Sequence, residues 1–261
     1  MPPRILLHAG FHKTGSSSVQ AALAAHRPAL REAGWAVRLP GDAGGALLVE
    51  AARQMSRAPG IGARRMVLRA LRAWLAPVAG APGLILSCED LAGLMPGHPG
   101  IDSYDMSPRL ATIALRAVAE IWPDAPAWLV YGTRAPGDWL ASVYWQQAQH
   151  PHLTETPEDF ATRLAPAADF TALLARIGHE TSAPVIAAAL ARHGPRRLGP
   201  VEALYDLAGL PEPLREALPP VPSANGGGSA ELAARLVALN RRGLPEEELT
   251  RAKRALLAAA S

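Results

Sequence analysis

The chain has 261 residues, 49% of them apolar and 19% charged, with a formal net charge of +3. That is enough for a packed core, and the mild basic excess suits an anionic ligand without calling for nucleic acid. A single cysteine, Cys88, excludes a disulfide framework and points to a reducing, cytoplasmic setting. The opening residues lack the layout of a signal peptide, and no apolar run reaches the length of a membrane span. Residues 4–9 (RILLHA) form a short apolar run closed by Gly10, which predicts a buried strand and a turn. From Ser17 the pattern SSVQAALAAHRPAL predicts a helix, so the first unit is strand, loop, helix. WAVRLP (35–40) predicts a second strand. Residues 62–76 predict an amphipathic helix, with Val67, Leu71, Trp74 and Leu75 inside and Arg65, Arg69 and Arg72 on the solvated face.

GLILSCEDL (83–91) predicts a buried strand ending near Glu89. Residues 107–122 predict a helix with Ser107 as its N-cap and Pro108 in its first turn. AWLVYGT (127–133) predicts another strand, and residues 136–149 a helix that starts at Pro136 with Asp138 in the first turn. PVIAAAL (184–190) suits a strand or a helix equally. PPVPSANGGGS (219–229) reads as a loop, and helices are expected near 230–241 and 246–259. Strands that alternate with helices predict an α/β fold: a central parallel sheet covered on both faces, a three-layer sandwich. Ligands of such sheets bind beyond the carboxyl ends of the strands. The loop 10–16, Glu89 and Arg134 all fall there, so sequence-distant groups are expected to share one crevice.

The loop FHKTGSSS carries a lysine in a chain whose basic residues are otherwise arginines, Lys253 excepted. A compact ammonium acts as a point charge where arginine is a planar fork. Gly10 and Gly15 allow close backbone approach, and the start of the following helix favours an anion. The spacing is not that of the Walker A loop, because Ser16 stands where that lysine belongs. The pattern Lys13-Thr14-Gly15-Ser16-Ser17 instead resembles the 5′-phosphosulfate loop of the sulfotransferases. Those enzymes use 3′-phosphoadenosine 5′-phosphosulfate (PAPS) as donor and release adenosine 3′,5′-bisphosphate (PAP). The resemblance extends to VYGTRAPGDWLASVYW, which sets Arg134 at a strand end and Ser142 in the next helix, the family's arrangement for the 3′-phosphate, and to LILSCEDL.

The resemblance covers residues 4–150. It implies the P-loop NTPase-like sulfotransferase fold, with 1–261 as one domain: a nucleotide-binding core at 4–150 and a helical part at 151–261. It implies that Lys13, Thr14, Gly15, Ser16, Ser17, Arg134 and Ser142 bind the donor. Lys13 would stabilise the leaving oxygen, and Glu89 or, second, His12 would take the acceptor proton. The acceptor group is expected to be a hydroxyl or amine of a glycan, lipid or small metabolite, met by the loops 40–62, 92–106 and 150–170. No membrane span, nucleic-acid partner or metal is expected. His150 and His152 form a two-histidine pattern without a third ligand close in sequence. The family's R-K-G-x-x-G-x-W-K segment near the C-terminus has no counterpart; NGGGS (225–229) and NRRG (240–243) stand in its region. Two other classes share parts of the pattern: a P-loop nucleotide kinase or NTPase, and a non-catalytic nucleotide- or glycan-binding relative.

Overall fold

The structure, a computed structural model, describes residues 4–222 and 228–259. In chain order the elements are β1 (Arg4–His8), α1 (Ser16–Glu32), β2 (Trp35–Arg38), α2 (Gly45–Arg57), α3 (Ile61–Leu75) and β3 (Gly83–Ser87). There follow α4 (Ser107–Ile121), β4 (Ala127–Thr133), α5 (Pro136–Ala148), α6 (Pro157–Leu164), α7 (Phe170–Thr181) and β5 (Val185–Ala189). The chain closes with α8 (Leu190–His193), α9 (Glu202–Ala208), α10 (Glu212–Ala217), α11 (Ala230–Asn240) and α12 (Glu246–Ala258). Among these described helices none is long and apolar enough to cross a membrane.

The chain sorts into two compact units. The first holds Met1–Met95, Tyr104–Arg134 and Phe170–Asn225; the second holds Pro96–Ser103, Ala135–Asp169 and Gly226–Ser261. The first unit is built on a five-stranded, all-parallel sheet of order β2-β3-β1-β4-β5. The central strands are buried apolar runs, as strands covered on both faces must be. Side chains alternate between the faces. Leu6, Ile85 and Val130 share one core with Val19, Leu23 and Leu30 of α1 and with Leu204 and Tyr205 of α9. The row of opposite parity, Leu7, Leu86 and Leu129, turns to the other face, as does Tyr131, which meets Ser107 of α4.

Most expected elements lie where the sequence puts them, and the differences have physical reasons. The ambiguous segment at 184–190 is a strand, β5, paired along its length with β4. Its alanines carry too little pattern to specify a strand alone, so the pairing decides. The segment 40–62, expected as a loop, contains α2, whose buried residues are Gly45, Leu48, Ala51, Ala52 and Met55. Ser107 is the first residue of α4 and not its N-cap, which is Met106; the Ser107 hydroxyl donates inward to Tyr131 at 3.5 Å. Of the arginines on α3, Arg72 forks onto Glu120 with two bonds of 2.6 Å, and Arg65 and Arg69 are exposed, a solvated face.

The second unit is helical. Its α5 packs on α6 and α11, and α11 on α12. The carbonyls at the end of α5 have no partners within the helix. Lys253 of α12 donates to Ala148 O at 3.2 Å and Gln149 O at 3.0 Å. Asn240 of α11 donates to Ala148 O at 3.3 Å, His150 O at 2.8 Å and Leu153 O at 2.7 Å. Both side chains are buried, so these bonds fix the 148–153 turn. Replacing Asn240 with leucine strands buried carbonyls and is expected to cost about 2 kcal/mol. Urea denaturation followed by circular dichroism measures it; an unchanged midpoint would show that the turn does not depend on Asn240.

Candidate functional site

The loop between β1 and α1 is stitched to both neighbouring strands. Cys88 N donates to His8 O and Ala9 N to Val130 O, each at 3.0 Å. Gly132 N donates to Gly10 O at 2.5 Å, and Phe11 N to Gly132 O at 3.3 Å. Gly10 has φ 110°, and a Cβ there would lie 3.2 Å from Glu89 O and 3.1 Å from Ala92 Cβ. Gly15 has φ 99° and caps α1; its missing Cβ would meet Leu190 at 3.0 Å. Both positions combine a left-handed backbone, which favours glycine, with neighbours close enough that a Cβ would force them to shift by a few tenths of an ångström.

Phe11 anchors the loop. Its ring is fully buried, with centroids 4.7 Å from Tyr104, 4.8 Å from Tyr131 and 5.0 Å from Phe170. Its carbonyl accepts the Thr14 hydroxyl at 2.5 Å and the Ser16 hydroxyl at 3.1 Å. Thr14 occupies the space that a side chain at Gly132 would need. The hydroxyls of Thr14 and Ser16 therefore point inward and hold the loop's shape. What Ser16 offers outward is its backbone amide, and Ser17 is exposed.

Helix α1 starts without a side-chain cap and without an acidic residue in its first turn. Its amino end thus carries an uncompensated partial positive charge. Two cations are added there. Lys13 holds φ 63°, rare for a residue with a side chain, and its carbonyl accepts Arg134 Nη1 at 3.3 Å. Burial lowers the Lys13 pKa, and the charge of Arg134 lowers it further. Two positive groups held together at a helix start form an electrostatic trap for a multiply charged anion.

The carboxylates lie across the loop. Glu89 and Asp90 open a short 3₁₀ turn, Glu89–Ala92, directly after β3. Gln20 of α1 donates its amide to Glu89 Oε2. Asp90 accepts Arg53 Nε at 2.7 Å and Nη2 at 3.4 Å, and its Oδ1 lies 3.8 Å from His12 Nε2. Burial alone would raise the Asp90 pKa, but His12 and Arg53 outweigh it and hold the carboxyl below its usual range. The Tyr104 hydroxyl lies 3.4 Å from His12 Nδ1. Burial pushes the Cys88 thiol well up, helped by Asp90 and Glu89, so it is no nucleophile. His8 faces Ser87 across on the neighbouring β3, not along its own strand, with Nδ1 2.7 Å from the hydroxyl, a structural contact.

The first unit thus gathers His12, Lys13, Thr14, Gly15, Ser16, Ser17, Glu89 and Arg134 around one loop at the carboxyl edge of the sheet. Ser142 lies half-buried on α5, in the second unit. His150 and His152 do have a third histidine near, His98, with ring centroids 5.6 to 5.9 Å apart. Among the described residues, however, no group of three or more His, Cys, Asp or Glu is arranged to hold a metal ion. Residues 225–227 lie outside the described residues. In NRRG, Asn240 is the buried donor of the α5 turn and Arg241 donates to Thr154 O at 2.7 Å, so this segment serves packing in the second unit. Sequence reasoning missed Gln20, Arg53 and Tyr104. Arg53 was legible only through the helical spacing of Leu48, Ala51, Ala52 and Met55; nothing local marks the other two. No protein-family model matches the chain, and no curated protein matches it.

Proposed function

We propose that this chain is a PAPS-dependent sulfotransferase, with a sulfotransferase-type variant of the P-loop fold, which moves a sulfuryl group to a hydroxyl of a glycan, lipid or small metabolite. The observation that carries the reading is the pairing of Lys13 with Arg134 beside the uncapped start of α1. The residue types then divide the work by chemistry. The amides at Ser16 and Ser17 suit the 5′-phosphate, as amides at a helix start do. Arg134 presents a fork for the 3′-phosphate. Lys13 is the point charge for the bridging oxygen, where negative charge builds as the sulfur–oxygen bond breaks. The acceptor hydroxyl needs a base, and Glu89 and His12 are the two candidates. The lone cysteine agrees with a cytoplasmic setting.

Isothermal titration with PAP, without Mg²⁺, tests the donor site. The wild type is expected to bind, and Arg134→Ala to weaken binding on the order of 30-fold or more, the loss of one partner of a desolvated charge pair. Lys13→Ala should weaken PAP less, because PAP lacks the sulfate. A wild type that ignores PAP but binds ATP with Mg²⁺ would replace this reading with a kinase or NTPase. A wild type that binds neither would leave a non-catalytic relative.

A further inference from the structure

The positive charge of the chain is concentrated in one place. From Gly45 to Leu75, the span of α2, the turn after it and α3, stand six arginines and one acidic residue, Glu50, a net +5 in a chain of net +3. Two of the six are engaged elsewhere, Arg53 by Asp90 and Arg72 by Glu120. Arg57 lies 3.9 Å from Glu50, and both are exposed. Arg64, Arg65 and Arg69 are exposed too, and among the described residues none of these three has a hydrogen-bond or ion-pair partner. The large apolar side chains that are exposed among the described residues belong to the same two helices: Leu47 at 71%, Ile61 at 71% and Met66 at 45%. On α3 the two kinds of side chain share one face. Ile61, Arg65 and Arg69 follow at i, i+4 and i+8, and Met66 precedes Arg69 by three. The inner stripe of α3, Val67, Leu71, Trp74 and Leu75, is buried, so packing within the chain does not account for Ile61 and Met66.

We infer that this outer face of α3, with the turn at 58–60, docks the protein on an anionic lipid surface. Unpaired guanidinium groups meet lipid phosphates and carboxylates, and each cation near such a surface adds to the attraction. The stems of the arginines are apolar, so they lie along the acyl boundary with their heads at the phosphates, and Ile61 and Met66 enter between them. A soluble polyanion would use the arginines and leave Ile61 and Met66 in water. A protein partner favours aromatic anchors at the centre of its patch, and the exposed residues of α3 include no aromatic side chain. With so few apolar groups to insert, the contact is shallow, reversible and sensitive to salt. This surface is separate from the donor site and does not depend on the sulfotransferase reading.

Co-sedimentation of the full chain with lipid vesicles tests it. The protein should pellet with vesicles of phosphatidylcholine and phosphatidylserine in equal parts, stay in solution with phosphatidylcholine alone, and be released by salt. Arg65→Gln with Arg69→Gln should weaken binding on the order of 25-fold, about fivefold for each cation. Ile61→Ser with Met66→Ser should weaken it roughly tenfold at unchanged charge. Arg251→Gln with Arg254→Gln, the same loss of charge from exposed positions on α12, should change it less than about threefold. All of these side chains are exposed, and circular dichroism checks that each variant folds. A wild type that pellets with neither vesicle, or equally with both, overturns the inference. So do serine variants that bind as the wild type does, or α12 variants that lose as much as the α3 arginine variants. Binding to soluble heparin in place of vesicles would give the face to a polyanion. A dimer in sedimentation velocity that Ile61→Ser with Met66→Ser abolishes would give it to a second copy of the chain; either result overturns lipid docking.

Discussion

Replacing Lys13 with methionine is expected to lower sulfuryl transfer from PAPS by roughly 10²–10³-fold, the cost of removing one preorganised charge from a developing oxyanion. On the proposed reading the donor's bridging oxygen gains negative charge only as the bond to sulfur breaks, so the ammonium would stabilise the transition state more than bound PAP. PAP affinity should therefore fall much less than turnover. Methionine keeps most of the length of the side chain and removes the ammonium. Lys13→Arg should restore little. The left-handed backbone at this position, φ 63°, fixes the direction of the side chain. A planar guanidinium beside Arg134 cannot then present the same compact charge. The assay is PAPS consumption by wild type and variants, with PAP titration in parallel. Turnover of Lys13→Met within about threefold of wild type would place the lysine away from the bridging oxygen.

The second large effect lies in stability. His8 is the last residue of β1, 3% exposed, and lies directly across from Ser87 in the register of β3. Burial lowers its pKa from 6.5 to about 4. The folded protein thus holds the ring neutral where the unfolded chain would protonate it. The sign follows from linkage: this stabilisation is present above pH 6.5 and is lost as the pH falls from there toward about 4. Over that window His8 alone removes about 3 kcal/mol. Urea denaturation at a series of pH values should show the wild-type midpoint falling through this range. His8→Leu, of similar bulk, should fall less. Parallel curves for the two proteins would mean that the ring escapes to solvent when protonated.

The site was only partly legible in the sequence. Gly10 and Gly15 bracket the loop and both carry positive φ, and Lys13 stands between them. Arg134 falls one residue past β4, as the strand pattern required, and its guanidinium reaches Lys13 O across 121 positions of sequence. The serines were different. The resemblance implied that Thr14, Ser16 and Ser17 bind the donor, and the hydroxyls of Thr14 and Ser16 both turn in to the Phe11 carbonyl. Residue type gives donor chemistry, but the aim of a side chain depends on the buried acceptor nearest to it. Arg53 and Asp90 show the same limit, since neither carries a local mark of the other.

By itself the sequence determined the local order of the fold: the apolar runs, the helical faces, the two glycine turns and the alternation that calls for a parallel sheet. Each of these rests on backbone sterics or on a period of two or 3.6 residues, which neighbours in the chain fully specify. Only the tertiary structure decided the strand order β2-β3-β1-β4-β5, the strand character of the alanine-rich β5, and the meeting of His12, Arg53 and Asp90. Parallel strands are joined by long crossovers, so sheet neighbours are rarely chain neighbours. Groups at the carboxyl edge meet through packing that no short stretch of the chain encodes.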